Sequence, residues 1–160
     1  MLHINIICVG KLKEKYLTEA LQEYSKRLSK YCNLNIIALH DEKLPSNLND
    51  SLINQIKEKE SNNILSHLEK SSYVISLDLK GKQYTSEEFA SKISNISTNI
   101  AGNITFIIGG TLGLSKNVLE KSNELICFSK MTFPHQLIRI FLLEQLFRSF
   151  KILNNETYHR

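Results

Sequence analysis

No apolar run in the 160-residue sequence is long enough to cross a bilayer, so a membrane-spanning helix is excluded. The three cysteines, Cys8, Cys32 and Cys127, are odd in number and far apart, and two of them sit in apolar, strand-like stretches. That pattern reads as buried reduced thiols. Ligating side chains do not recur at the close spacing a zinc site needs, and no metal is expected. Met1–Ile7 is apolar but has neither a basic leader nor a small-residue cleavage site, so it is expected to be a strand and the chain to be cytoplasmic. Repeats, low-complexity segments and linker-like stretches are missing too, which leads us to expect one domain over residues 1–160. The glycines at 109, 110 and 113 are followed by no Gly-Lys-Ser/Thr, and there is no acidic metal cluster. A nucleotide hydrolase is therefore disfavoured.

What remains is ordinary for a folded chain: 42% apolar residues, 22% charged and a net charge of +4. The modest excess of base permits a polyanionic partner without requiring one. Lysines gather at Lys11, Lys13 and Lys15 and again at Lys26, Arg27 and Lys30, a pattern that by itself fits a solvated helix face.

Strand and helix signals alternate. Ile4–Val9 is a nearly continuous apolar run, as in a strand buried on both faces. Over Lys15–Lys30 the apolar positions recur at three and four, which predicts an amphipathic helix. Leu34–Leu39 reads as a second strand, and a second helix starts near Asp50 or Ser51. Tyr73–Leu79 reads as a third strand, closed by Lys80-Gly81-Lys82 as a turn. Thr85 and Glu88 have capping-box spacing, so a helix is expected from Ser86 to about Ile96. A fourth strand over Ile104–Ile108 precedes a short helix at Ser115–Lys121, a fifth strand near Leu125–Ser129 and a last helix over His135–Leu153. The fold class is α/β, a mostly parallel sheet covered by helices on both faces.

In open α/β sheets ligands bind beyond the carboxyl ends of the strands. Three such ends carry unusual residues: Leu77–Lys82, Gly109–Leu114 and Phe128–His135. The glycines fit a tight turn as well as a ligand approached by backbone. Ser129–Pro134 mixes Met131, Phe133 and Pro134 with hydroxyls and Lys130, offering apolar walls and backbone polar groups that suit an adenosine better than a phosphate. Pro134 is also an ordinary helix-start residue.

The last helix is apolar around most of its circumference, which fits either a dimer interface or a central core helix. Its polar exceptions pair at four, His135 with Arg139 and Glu144 with Arg148, as ion pairs or as the wall of a site. The closing Tyr158-His159-Arg160 has the means to stack on a base and hold a phosphate.

These segments taken together resemble the RlmH family, the 23S ribosomal RNA pseudouridine-N3 methyltransferases of the SPOUT superfamily. The matching stretches are Val9–Lys13, Asp41–Lys43, Lys57–Glu60, Ile107–Gly110 with Gly113-Leu114, Ser129–His135, Leu143–Leu146 with Arg148, and Tyr158–Arg160. They cover the whole chain in order. The resemblance implies a SPOUT-type trefoil knot in the C-terminal part, a homodimer, and S-adenosyl-L-methionine as methyl donor, contacted by Leu77, Gly109, Phe128, Ser129, Lys130, Met131, Thr132 and Phe133. It also implies 23S rRNA in the assembled ribosome as substrate, with Glu144, Arg148, Tyr158, His159 and Arg160 near the reaction. Departures are Phe147 where the family often has tyrosine, Ser149 where it often has alanine, and Ser61 where glycine is frequent. A non-catalytic ribosome- or RNA-binding module is the competing reading. It accounts for the charge but not for the apolar loop.

Overall fold

Strands and helices alternate as the hydrophobic periods predict. A computed structural model covers residues 1–160, and its elements are β1 (Leu2–Val9), α1 (Lys15–Leu28), β2 (Cys32–Leu39), α2 (Asp50–Ser66), β3 (Tyr73–Lys82), α3 (Ser86–Asn99), β4 (Asn103–Ile108), α4 (Lys116–Lys121), β5 (Glu124–Ile126) and α5 (His135–Leu153). All five strands are parallel, in the order β2-β1-β4-β3-β5. No helix is long and apolar enough to cross a membrane.

Both faces of the sheet are covered, which is why β1 reads as an unbroken apolar run rather than an alternating one. Ile4, Ile6 and Cys8 point to the face carrying α1, α3 and α5, where they meet Leu28, Phe89, Ile93, Leu142, Leu143 and Leu146. Ile7 and Val9 point to the other face, against Ile64 of α2 and Val118 of α4. The helix that follows β1 thus lies on one face and the helix that follows β4 on the other. β1 and β4 are neighbours, so the crevice between their carboxyl ends is the topological switch point, where ligands of open α/β sheets bind.

Local signals set the helix boundaries. The Thr85 hydroxyl accepts from the Glu88 N–H at 3.1 Å while the Glu88 carboxylate accepts from the Thr85 N–H at 2.8 Å, a reciprocal cap that starts α3. Losing such a cap by Thr85→Ala costs about 1 kcal/mol. Asn49 caps α2 through the Leu52 N–H at 2.8 Å.

Two boundary expectations are corrected. Lys80-Gly81-Lys82 is not a turn but the end of β3, with a register shift on the β5 side between Leu77 and Lys82. Gly81 is there because its Cα lies against the backbone of Ile126, where a Cβ would come within 2.4 Å. The residues between the two paired positions bulge out of the ladder, a common device for re-aiming side chains beside a site. The fifth strand, expected to reach Ser129, ends at Ile126 and frees the following loop.

The core-helix reading accounts for most of α5, which packs between α1 and α3 with Leu142, Leu143 and Leu146 wholly buried. Leu137, Ile138 and Phe141 on its first turns stay half-buried.

Candidate active site

The three unusual strand ends converge. A cavity of about 770 Å³ is lined by Leu77–Lys80 from the β3 bulge, Ile108–Leu114 from the end of β4, and Phe128, Ser129 and Met131–His135 from the loop before α5. Its volume lies within the roughly 300–1,000 Å³ of small-molecule sites. Its walls are apolar at Leu77, Leu112, Leu114, Phe128 and Ile138, and the loop supplies main-chain polar groups. Gly109 is buried, and a Cβ there would stand 3.0 Å from the Gly113 carbonyl carbon and 3.1 Å from the Leu114 side chain. Gly113, at φ +78°, makes the reversal that folds this segment back over the strand end. This lining offers apolar surface to a planar ring and backbone polar groups to its edge.

A second cavity, of about 360 Å³, lies on the other side of the same loop. It shares Ile126, Cys127, Phe128, Ser129 and Phe133 with the first and reaches Glu144 and Gln145 of α5.

Beside it the chain terminus folds back onto α5 and α3. The Glu144 carboxylate accepts from Arg148 Nη2 at 2.7 Å and Nε at 3.1 Å, from the Tyr158 hydroxyl at 3.1 Å and from Gln145 Nε2 at 2.8 Å. Three of these four donors crowd Oε1 and Gln145 alone meets Oε2 at short range, and the bond to Glu144 strengthens the hold of Arg148 on its proton. Burial first, then the nearby Glu144 charge, pushes the Tyr158 phenol up, so that it stays a donor. Phe147 meets the Tyr158 ring edge-on at 5.0 Å and the Arg148 guanidinium lies over that ring at 4.7 Å. His159 bridges Arg148 Nη1 at 3.2 Å and the Glu87 carboxylate at 2.7 Å. An arginine N–H only donates, so His159 Nδ1 accepts and the Nε2–H donates to Glu87.

The chain matches relatives over its full length. A ribosomal RNA large subunit methyltransferase H of Clostridium beijerinckii is 54% identical over 159 residues, covering 99% of this chain and 100% of the relative. One from Clostridium botulinum is 57% identical over 159 residues with the same coverage. A solved probable methylase family protein from Haemophilus influenzae shares the fold, with a TM-score of 0.56 at 13% identity over 98% of this chain and 70% of that one. The family model described as predicted SPOUT methyltransferase matches residues 2–159. The chain belongs to the SPOUT methyltransferase family.

In this SPOUT chain the residues singled out from the sequence fall into two groups. Leu77, Gly109, Phe128, Ser129, Met131, Thr132 and Phe133 line the larger cavity, while Lys130, in the same loop, is exposed and points away from the lining. Glu144, Arg148, Tyr158 and His159 form the cluster at the terminus, and Arg160 stands exposed beyond it. Sequence reasoning missed Glu87 and Gln145. Glu87 sits in the first turn of α3, next to the capping Glu88, and nothing local marks it as the partner of a residue 72 positions away. Gln145 was signalled only by its place beside Glu144. The departures from the family pattern are built into the packing. Buried Ser61 shares a hydrogen bond with Ser115, and Ser149 donates to the Gln145 carbonyl at 2.7 Å.

Proposed function

We propose that this chain is an S-adenosylmethionine-dependent methyltransferase acting on N3 of a pseudouridine in 23S rRNA of the assembled ribosome. The observation that carries the reading is the shared wall. A cavity suited to adenosine and a second cavity bordered by Glu144 share one wall, Ile126–Ser129 with Phe133. The family assignment and relatives named for methylation of large-subunit ribosomal RNA support it.

Leu77, Gly109 and the loop residues Phe128, Ser129 and Met131 to Phe133 hold the donor; when bound, it supplies a methyl group on a positively charged sulfur. The acceptor N3 of an imide carries a proton that must leave for its lone pair to bond to carbon. Glu144, whose Oε1 takes both Arg148 and Tyr158, acts as the anchor that orients them. Arg148 brings positive charge to the base oxygen that becomes anionic as N3 loses its proton. When Arg148 Nη1 turns to that oxygen, His159 Nδ1 is released to accept the proton, with Glu87 steadying the imidazole through Nε2. Arg160 and the exposed lysines 11 and 13, on the loop above β1, hold rRNA phosphates.

In the same reading the C-terminal part threads as the trefoil of the family, and two copies pair through the half-buried Leu137, Ile138 and Phe141 with the exposed Met131 of the neighbouring loop. Sedimentation equilibrium checks the pairing, and a monomer at micromolar concentration removes it.

The deciding experiment incubates purified ribosomes with labelled donor and the full chain or a chain lacking Tyr158–Arg160. The proposal expects label at one pseudouridine for the full chain, and loss of turnover with retained donor binding for the truncated one. A folded full chain that binds ribosomes and transfers no label is instead a non-catalytic binding module.

A further inference from the structure

A closed circuit of hydrogen bonds runs between the first turn of α3 and the surface of α5. One arm starts at Ser86, whose hydroxyl donates to Gln145 Oε1 at 2.8 Å, and Gln145 Nε2 donates to Glu144 Oε2 at 2.8 Å. The other starts at Glu87, which accepts from His159 at 2.7 Å, and His159 in turn meets Arg148 Nη1 at 3.2 Å. The arms join at the bond from Arg148 Nη2 to Glu144 Oε1, 2.7 Å long. Ser86 and Glu87 are consecutive residues, so both arms are rooted in one turn of one helix.

Chemistry fixes the direction of the Ser86 arm. A carboxylate only accepts, so Gln145 must present its amide N–H to Glu144 and its carbonyl to Ser86. The Ser86 hydroxyl then has to donate, and the amide is held in one of its two orientations. Packing alone does not achieve this. Ser86, Gln145 and Glu144 all line the smaller cavity, where their polar ends have open space on one side. A glutamine beside open space gives up its rotamer freedom only where its bonds offset the loss, and here the amide is bonded at both ends.

The root of the circuit is rigid. The reciprocal cap of Thr85 and Glu88 closes the turn that carries Ser86 and Glu87, and Phe89 and Ile93 behind it are buried in one core with Leu142 and Leu146 of α5. Glu144 Oε2 depends on this arm, because its other neighbour, Arg148 Nε, stands 3.4 Å away. We propose that Ser86 and Gln145 are positioning residues for methyl transfer, through which α3 sets the rotation of the Glu144 carboxylate and so the aim of Arg148. This rests on the reading of the Glu144 cluster as the acceptor side. A carboxylate held at both oxygens cannot turn about its last bond. Oε1 therefore keeps Arg148 and Tyr158 together while Nη1 swings from His159 to the base oxygen.

The test compares the wild type with Ser86→Ala, Ser86→Thr, Gln145→Leu and the double variant Ser86→Ala/Gln145→Leu, with thermal transitions confirming that each folds. Single-turnover transfer of labelled methyl to ribosomes, the half-saturating ribosome concentration and calorimetric donor affinity are measured for each. Ser86→Ala should slow transfer roughly fivefold, the scale of one neutral hydrogen bond, and Gln145→Leu roughly thirtyfold, the scale of a charge-assisted one. Both affinities should stay within about twofold, the split expected of groups that act on the chemical step. Because Ser86 acts through Gln145, the double variant should be no slower than Gln145→Leu. Ser86→Thr keeps the hydroxyl and should transfer near the wild-type rate. Losses that multiply in the double variant, or a rate unchanged by Ser86→Ala, overturn the proposal. A further readout needs no ribosome: exchange of the Arg148 Nε proton with solvent, followed by NMR, should be several-fold faster in Ser86→Ala. Unchanged exchange overturns the hold of α3 on Arg148 whatever the activity. Faster exchange in a chain whose wild type transfers no label keeps that hold and removes the methyl-transfer reading.

Discussion

Glu87, in the first turn of α3, accepts a 2.7 Å hydrogen bond from the imidazole of His159, the last residue but one of the chain. Exposed as it is, the pair contributes little to global stability, and its effect is to fix where the terminus lies. The bond to His159 holds the Glu87 carboxyl below its ordinary value of 4.5. A depressed carboxyl stabilises the attached terminus above its ordinary pKa, and the effect is lost as pH falls through the lowered one. The terminus should therefore stay docked at neutral pH and loosen only in acid below about 4.5. Glu87→Ala should raise hydrogen exchange at residues 157–159 and slow turnover while the melting temperature hardly moves. Unchanged exchange would mean that Tyr158 alone docks the terminus.

Glu144→Gln keeps the size of the side chain but removes the charge that gathers Arg148 and Tyr158. Two charge-assisted contacts weaken at once, so single-turnover methylation should fall by roughly 10²-fold. Donor affinity measured by calorimetry should stay near the wild-type value, because Glu144 does not line the donor cavity. A parallel loss of donor affinity would show that Glu144 shapes the loop rather than the acceptor side.

Much of this arrangement was legible in the sequence, and the reasons are local. Pro134 and the last apolar position, Leu153, mark the two ends of α5, and the Thr85–Glu88 spacing marks the start of α3. The three strand ends stood out because their residues suit neither strand nor helix. What stayed hidden depends on distant partners. The glycine in Lys80-Gly81-Lys82 reads as a turn until the backbone of Ile126 is known to lie against it. Nothing in the periodicity places β4 between β1 and β3, or Glu87 beside His159.

Gly109→Arg is expected to abolish detectable donor binding. A Cβ at this position already meets the Gly113 backbone and the Leu114 side chain at 3.0–3.1 Å, and the rest of an arginine has only the cavity to enter. A far-ultraviolet dichroism spectrum like the wild type's would show that the fold is kept. Binding at wild-type strength in such a folded variant would move the donor away from the β4 end.

The three thiols should separate by chemistry. Cys8 and Cys32 are buried, and burial pushes Cys32 up to about 12, so both should react with thiol reagents only on unfolding. Cys127 is half-buried in the wall common to both cavities and should react in the native state. Saturating S-adenosylhomocysteine should slow that reaction several-fold. Equal rates with and without it would place the ligand away from the wall.

That wall, Ile126–Ser129 with Phe133, has a thermodynamic consequence. If a ligand seated on one side restricts the conformations open to the other, the two occupants sense each other, and linkage makes the effect equal in both directions. On the proposed function, whatever factor the ribosome adds to the grip on the donor, the donor would add to the grip on the ribosome. With such coupling, loss of the methyl group on one side would weaken the hold on the other and tie turnover to release from the particle. Ribosome affinity measured with S-adenosylmethionine and with S-adenosylhomocysteine would differ if the wall couples its two sides, and would coincide if it is only a partition.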